Sequence, residues 1–255
     1  MPEQNPPQRS RSDHEDRTGS RPSDDHPSAL VVELREHVPF SVSAVAIGLI
    51  AAGTICVLGF GFHGDVESSR AAAQSHSGSL NPAELFFHLF HPAHMLFSAA
   101  ATTAMFCRYE RRMVKAILIG LIGAVGVCGI SDIVMPHLSL IILGTPAPWH
   151  ICVYEHPDMT LPFAAVGVAV GIAASGSVIR STIISHSLHV FASTMASIFY
   201  MVGPLGVVAW IDDLGKVFLF VVIAVVVPCC LSDIVFPMMM SKSGRDWYTR
   251  EPHRH

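Results

Sequence analysis

Two short stretches of an otherwise apolar chain carry the same ionisable pattern. His91 and His94 stand in HPAHMLFS, and His186 and His189 stand in HSLHVFAS. Each pair is followed downstream by an aspartate: Asp132 in CGISDIVMP and Asp233 in CCLSDIVFP. Histidines three residues apart share one face of a helix. Two imidazoles and a carboxylate can form the inner ligand shell of zinc, and equally of nickel, cobalt or copper. The serine before each aspartate can orient its carboxylate. The competing reading is a His–Asp hydrogen bond that joins neighbouring helices without any metal. Either way, an ionisable group inside an apolar helix is costly, and it is retained for function or for pairing.

The segments that must position these side chains are hydrophobic. The 255 residues are 51% hydrophobic and 14% charged, with a mean hydropathy of +0.46, too apolar for an ordinary soluble domain. Six stretches approach the length that crosses about 30 Å of hydrocarbon: Val38–Phe62, Glu84–Cys107, Lys115–Met135, Leu161–Arg180, Ile183–Trp210 and Lys216–Met240. Only helices satisfy their own backbone in such surroundings without closing a barrel. The first span begins behind a polar stretch, which argues against a cleavable signal peptide.

The chain also matches itself. VPFSVSAVAIGLIAAGTI from Val38 aligns with LPFAAVGVAVGIAASGSV from Leu161, and the two HxxH and SDIVxP matches follow in the same order. Three spans per repeat is an odd number, so the second copy enters the membrane inverted, as in many transporters. Gly48, Gly53, Gly171 and Gly176 suit close packing of helices in lipid. The expected organisation is a disordered cytoplasmic segment 1–28, a first three-helix repeat 29–137, an outer histidine-containing loop 138–160, a second three-helix repeat 161–240 and a cytoplasmic tail 241–255.

Basic residues give the orientation. Arg9, Arg11, Arg17, Arg21 and Arg35 precede the first span. Arg108, Arg111, Arg112 and Lys115 follow the second, Arg180 follows the fourth, and Lys242, Arg245, Arg250 and Arg254 lie in the tail. The alternate loops hold only Arg70 and Lys216. Both termini are therefore expected in the cytoplasm of a multi-pass protein, in a bacterial inner membrane. On this topology His91, His94 and Asp132 form a cluster near the outer face, and His186, His189 and Asp233 one near the inner face. The prolines of SDIVMP and SDIVFP end or kink their helices.

Further donors crowd the outer side: His63, His76 and His88, then His137, His150, Cys152, Glu155 and His156 in PHLSLIILGTPAPWHICVYEHPDMT. Of these, His88, His137, His150 and His156 are candidate additional metal ligands. LSLIILG is too short to span and is expected at the membrane interface. Cys229, Cys230 and Met238 to Met240 are soft donors suited to Cu(I) on the inner side, although Cys56, Cys107, Cys128 and the pair Cys229–Cys230 also read as small buried hydrophobes. Most cysteines lie within spans, which argues against a disulfide framework. Glu110 among Arg108, Arg111 and Arg112 reads as an ion-paired turn, and Asp212 and Asp213 as solvated.

No phosphate-binding loop, dinucleotide fingerprint, HExxH or GxSxG occurs, and no basic patch points to nucleic acid. The sequence is best accounted for as an all-α integral membrane transporter or channel for a divalent transition-metal cation (Zn, Ni, Co or Cu), with zinc or copper the favoured ion. Its partners are the lipid bilayer and the metal, and a homo-oligomer is compatible. Alternatives are a membrane-embedded metalloenzyme with its site on the outer face (a hydrolase or a copper or iron oxidoreductase), a structural subunit without metal, and a haem protein.

Overall fold

A computed structural model describes residues 29–59, 82–145, 147–175 and 180–242. Expectations for residues 1–28, His63, His76, Gly176 and the tail beyond Lys242 fall outside them. The described residues are helical, with no strand among them. In chain order the helices are α1 (Ala29–Gly59), α2 (Pro82–Tyr109), α3 (Met113–Ile142), α4 (Cys152–Glu155), α5 (Pro157–Ala174), α6 (Arg180–Leu205), α7 (Val207–Asp212) and α8 (Leu214–Met240).

Five helical stretches are long and apolar enough to cross a membrane: Val38–Leu58 of α1, Met113–Ile142, Pro157–Ala174, His186–Leu205 of α6 and Leu214–Met240. α2 is the remaining expected span. Its 28 residues have the length, but Glu84, three histidines and Arg108 make it more polar than the others. Rows of exposed apolar side chains mark faces turned away from the bundle: Ile47, Ile50 and Leu58 on α1, Val114, Leu118 and Ile122 on α3, and Leu219, Ile223 and Val227 on α8. Spacings of three, four and eight residues keep each row on one side of its helix. A bilayer suits such rows, because lipid is as apolar as they are.

α2 and α6 form the central pair, with α1 laid against α6 and α5 against α2. The α5–α2 contact depends on Gly167 and Gly171, four residues apart on one face. A Cβ at Gly171 would sit 2.5 Å from the Ala100 carbonyl oxygen, and one at Gly167 would collide with the Leu96 carbonyl. The obstacles are backbone atoms that cannot rotate away, so only glycine admits this approach. Gly48 of α1 is similarly placed, 2.6 Å from Thr194 Cγ2 of α6 for an added Cβ.

Helix ends depart from the sequence-based boundaries. α3 continues through Pro136 to Ile142 instead of stopping at Met135, so most of LSLIILG extends the span and the 137/138 boundary falls inside a helix. Neither SDIVxP proline ends its helix; each is accommodated by a wider turn. Proline lacks an N–H and its ring crowds the carbonyl four residues earlier, here that of Asp132 for Pro136 and of Asp233 for Pro237. Both helices open into π turns there, at Ile130–Val134 and Leu231–Val235. The Met135 amide accordingly donates to the Ile130 carbonyl five residues back. Such π turns favour functional positions.

The expected ion-paired turn between α2 and α3 is present and fastens the end of α8. Glu110 pairs with Lys115 (3.2 Å) and Arg112 (3.3 Å) and accepts the Lys242 amide (3.2 Å). Lys115 Nζ donates to the Met240 carbonyl at 2.6 Å. The Lys242 amide, followed by Lys115 and Arg112, holds the Glu110 carboxyl below the usual range. A carboxyl with a depressed folded-state pKa stabilises the fold above its unfolded pKa and loses that contribution as pH falls through the folded value.

Two outcomes are expected. Gly171→Leu should lower thermal stability in detergent by at least the about 1–3 kcal/mol typical of overpacking, whereas Gly126→Leu, where an added Cβ meets nothing within 4 Å, should be tolerated. Glu110→Gln should lower the unfolding temperature at neutral pH, with the gap from the parent protein closing on acidification.

Candidate metal centre

The π turn at Ile130–Val134 presents Asp132 to α2. The carboxylate, fully buried, is the hub of the first half. Its Oδ2 accepts from His91 Nδ1 at 2.8 Å and from His94 Nδ1 at 2.6 Å. Its Oδ1 accepts from Ser131 Oγ at 2.9 Å and from Ser193 Oγ of α6 at 2.8 Å. Donating Nδ1–H to the carboxylate fixes the tautomer and leaves the Nε2 lone pair of each imidazole available. His91 Nε2, fully buried, has no hydrogen-bond partner.

The second half is built alike but is less saturated. Asp233 Oδ2 accepts from His186 Nδ1 at 2.9 Å. His189 Nδ1 approaches the same oxygen at 2.8 Å, at an angle short of a hydrogen bond. His186 Nε2 meets Ser41 Oγ of α1 at 3.3 Å. Asp233 Oδ1 and His189 Nε2 lack hydrogen-bond partners.

The expected separation of the clusters is not observed. The imidazoles of His94 and His189 face each other with ring centroids 4.5 Å apart, so both groups form one continuous buried centre instead of two mouths. The basic-residue topology set one cluster near each face, at the ends of the helices. In fact α2 starts at Pro82, which at about 1.5 Å per residue places His91 and His94 about 14 and 18 Å along the axis. Likewise α6 starts at Arg180, about 9 and 14 Å before His186 and His189.

Two cysteines complete the centre. Cys128 Sγ lies 3.6 Å and Cys229 Sγ 3.8 Å from His94 Nε2, all fully buried. The ligand atoms offered by His94, His189 and Cys229 lie within 4.8 Å of one another. Zn–S of about 2.3 Å and Zn–N of about 2.0–2.1 Å at a tetrahedral angle put sulfur and nitrogen about 3.6 Å apart. The aspartates stand behind the imidazoles, so they orient ligands and do not face the shared position. Without metal, one of the two thiols can donate its S–H to His94 Nε2. The sequence held a signal for this: Cys128 and Cys229 align in the two SDIVxP matches, one helical turn before each aspartate. Packing alone had seemed enough to explain Cys128.

Hydroxyls knit the halves together crosswise. Ser193 Oγ also lies 3.3 Å from Ser131 Oγ, and Ser197 Oγ donates to the Ser131 carbonyl at 3.1 Å. In the matching positions, Ser98 Oγ lies 3.4 Å from Ser232 Oγ, and Thr102 Oγ1 contacts the Ser232 hydroxyl and carbonyl at 3.2 and 3.3 Å. Each HxxH is thus followed, one and two turns later, by hydroxyls that bind the other half's SD serine. Sequence reasoning missed these, although HxxHxxxSxxx[ST] occurs twice.

Of the additional candidates, His88, His150 and His156 come together, with ligand atoms within 4.8 Å of one another. His137 is not in that group; its ring lies against Trp149 at 4.0 Å and meets Tyr200 Oη at 3.4 Å. Glu155 binds His150 Nδ1 at 2.6 Å and accepts the Ile151 amide at 3.1 Å. That amide, followed by His150 and His156, holds the Glu155 carboxyl below its ordinary range. Burial, reinforced by Glu155, pushes the Cys152 thiol up to about 12. Cys56, Cys107, Cys128, Cys152 and Cys229 are free thiols.

Compared with known protein families, curated proteins and solved structures, the chain matches none.

The unequal donor sets give a direct expectation. Asp132→Asn disturbs four contacts and Asp233→Asn two, at about 1.5–3 kcal/mol for each bond to a charged group. Thermal unfolding in detergent should therefore show the larger loss for Asp132→Asn, with Ser193→Ala costing about 1–3 kcal/mol.

Proposed function

We propose that this chain is an integral-membrane transporter for a transition-metal cation, zinc or copper before nickel or cobalt, with one central binding position shared by its two halves. The observation that carries the reading is the convergence of His94, His189 and Cys229 in the sealed core, with Cys128 beside them. Imidazole and thiolate are the donors that borderline and soft cations prefer. The carboxylates behind the imidazoles are the outer-shell partners that metal-bound histidines usually have.

On this reading the six long helices are a 3+3 inverted repeat with both termini cytoplasmic, in a bacterial inner membrane. Supporting the repeat are the paired π turns, the crosswise hydroxyl contacts and the equivalent glycine contacts of α1 on α6 and α5 on α2. Substrate sites of inverted-repeat transporters lie near the midplane where the repeats meet, and His94 and His189 come one from each half. Transport also accounts for the ionisable pattern persisting in both copies. A hydrolase needs a coordination position open to substrate, which a centre of fully buried His94, His189 and Cys229 does not offer, so the enzyme reading is the weaker one.

The test uses the full chain purified in detergent, loaded with zinc, desalted and measured by mass spectrometry, then reconstituted into liposomes for zinc flux. The parent protein should retain one core ion that both His94→Ala/His189→Ala and Cys128→Ser/Cys229→Ser lose, with flux falling to the leak of empty liposomes. Asp132→Asn should weaken binding by about 10–100-fold. Unchanged metal content in both double variants would reduce the His–Asp contacts to helix pairing. Binding without flux would make the centre a resident metal site.

A further inference from the structure

The bundle end that carries residues 147–156 holds a second group of imidazoles, apart from the core. His88 projects from α2 one turn before His91, while His150 and His156 flank the short helix α4. Ring centroids are 5.1 Å apart for His88–His150, 4.9 Å for His88–His156 and 5.7 Å for His150–His156. Three imidazoles around one tetrahedral ion, with Zn–N of about 2.0–2.1 Å, would hold their ring centres about 5 Å apart. Cys152 Sγ lies 3.6 Å from His88 Nδ1 and 3.5 Å from His150 Nε2, close to the about 3.6 Å between sulfur and nitrogen on a shared ion. Glu155 holds the opposite nitrogen of His150, as an outer-shell carboxylate would.

Edge-to-face packing of neutral rings is the bland account of such a cluster. It explains the steep interplanar angles of His88 with His150 and His156, 81° and 85°. It does not explain why a buried thiol reaches two of the three rings at ligand-shell separations, or why a carboxylate sets the orientation of one.

We propose that His88, His150, His156 and Cys152 form a second, separate site for a zinc-class divalent cation, which fastens the loop before α5 onto α2. The ligands come from two distant stretches of chain, so occupancy ties residues 150–156 to the helix that carries the core histidines. His88, His91 and His94 follow one another at intervals of three along that helix. Phe87 lies against both His91 (5.2 Å) and His150 (5.8 Å). The site is thus a neighbour of the core centre, yet its ligands are wholly its own.

The experiment counts zinc by mass spectrometry in desalted full-length protein, for the parent, His150→Ala/His156→Ala, and both sets combined with Cys128→Ser/Cys229→Ser. The loop variant should hold one ion fewer than its parent in either background, with affinity at this site down by more than about 100-fold, beyond the loss of an outer-shell partner. Equal zinc content with and without the loop histidines, in both backgrounds, overturns the site. Failure of the core reading would show differently: the cysteine background would lose nothing, while the loop difference would persist. Should the double variant aggregate, His156→Gln alone should lower the affinity, and unchanged affinity there overturns the proposal. Cobalt substitution reads the fourth ligand. Cys152→Ser in the cysteine background should abolish thiolate-to-cobalt charge transfer, and its persistence would remove Cys152 from the shell.

Discussion

A carboxylate buried in an apolar bundle must find its hydrogen bonds inside the protein, because no water is at hand to supply them. Asp132 meets that demand with four donors drawn from three helices: His91 and His94 of α2, Ser131 of α3 and Ser193 of α6. Much else in the fold follows from it. The π turn presents the aspartate, the depth of α2 puts its histidines at the same level, and the crossing of α2 with α6 brings in Ser193. Each donor is short and stiff, so small displacements of one helix are felt by the other two.

The tight packing of the outer helices belongs to the same constraint. α5 can lie against α2 only because Gly167 and Gly171 let backbone meet backbone, and α1 approaches α6 closely at Gly48. Lipid offers little hydrophobic gain for helix association, so contact and polar pairing must supply it. The polar α2 therefore sits inside, shielded by α5, α6 and α8, while rows such as Leu219, Ile223 and Val227 face outward.

The helical architecture could be read in the sequence, because long apolar runs report directly on helices of membrane-crossing length. The four histidines and two aspartates could also be picked out, since HxxH and SDIVxP recur in the same order. Depth could not. How far along its helix a residue lies does not by itself say which residues of a neighbouring helix it meets, and here His94 and His189, one from each half, meet in the core. Nor could the roles within the centre. An aspartate is as good a ligand as an orienting group until the distances show Nδ1 on the carboxylate and Nε2 beside sulfur. The same limit hid Cys128, whose chemistry comes from a neighbour on another helix. In sequence His137 and His150 looked equivalent; in the structure His137 packs against Trp149 and Tyr200, while His150 joins His88 and His156.

The two halves have not stayed equal. Asp132 has every acceptor filled, while Asp233 keeps one carboxylate oxygen without a donor, because Ser232 turns towards Ser98 and Thr102. A machine whose halves trade places would reach states of equal energy only if the halves were alike. Under the proposed transport, with one carboxylate satisfied and the other lacking a donor, an exchange of halves would run uphill in one direction, and the resting posture would be set by where Ser131, Ser193 and Ser232 point their hydroxyls.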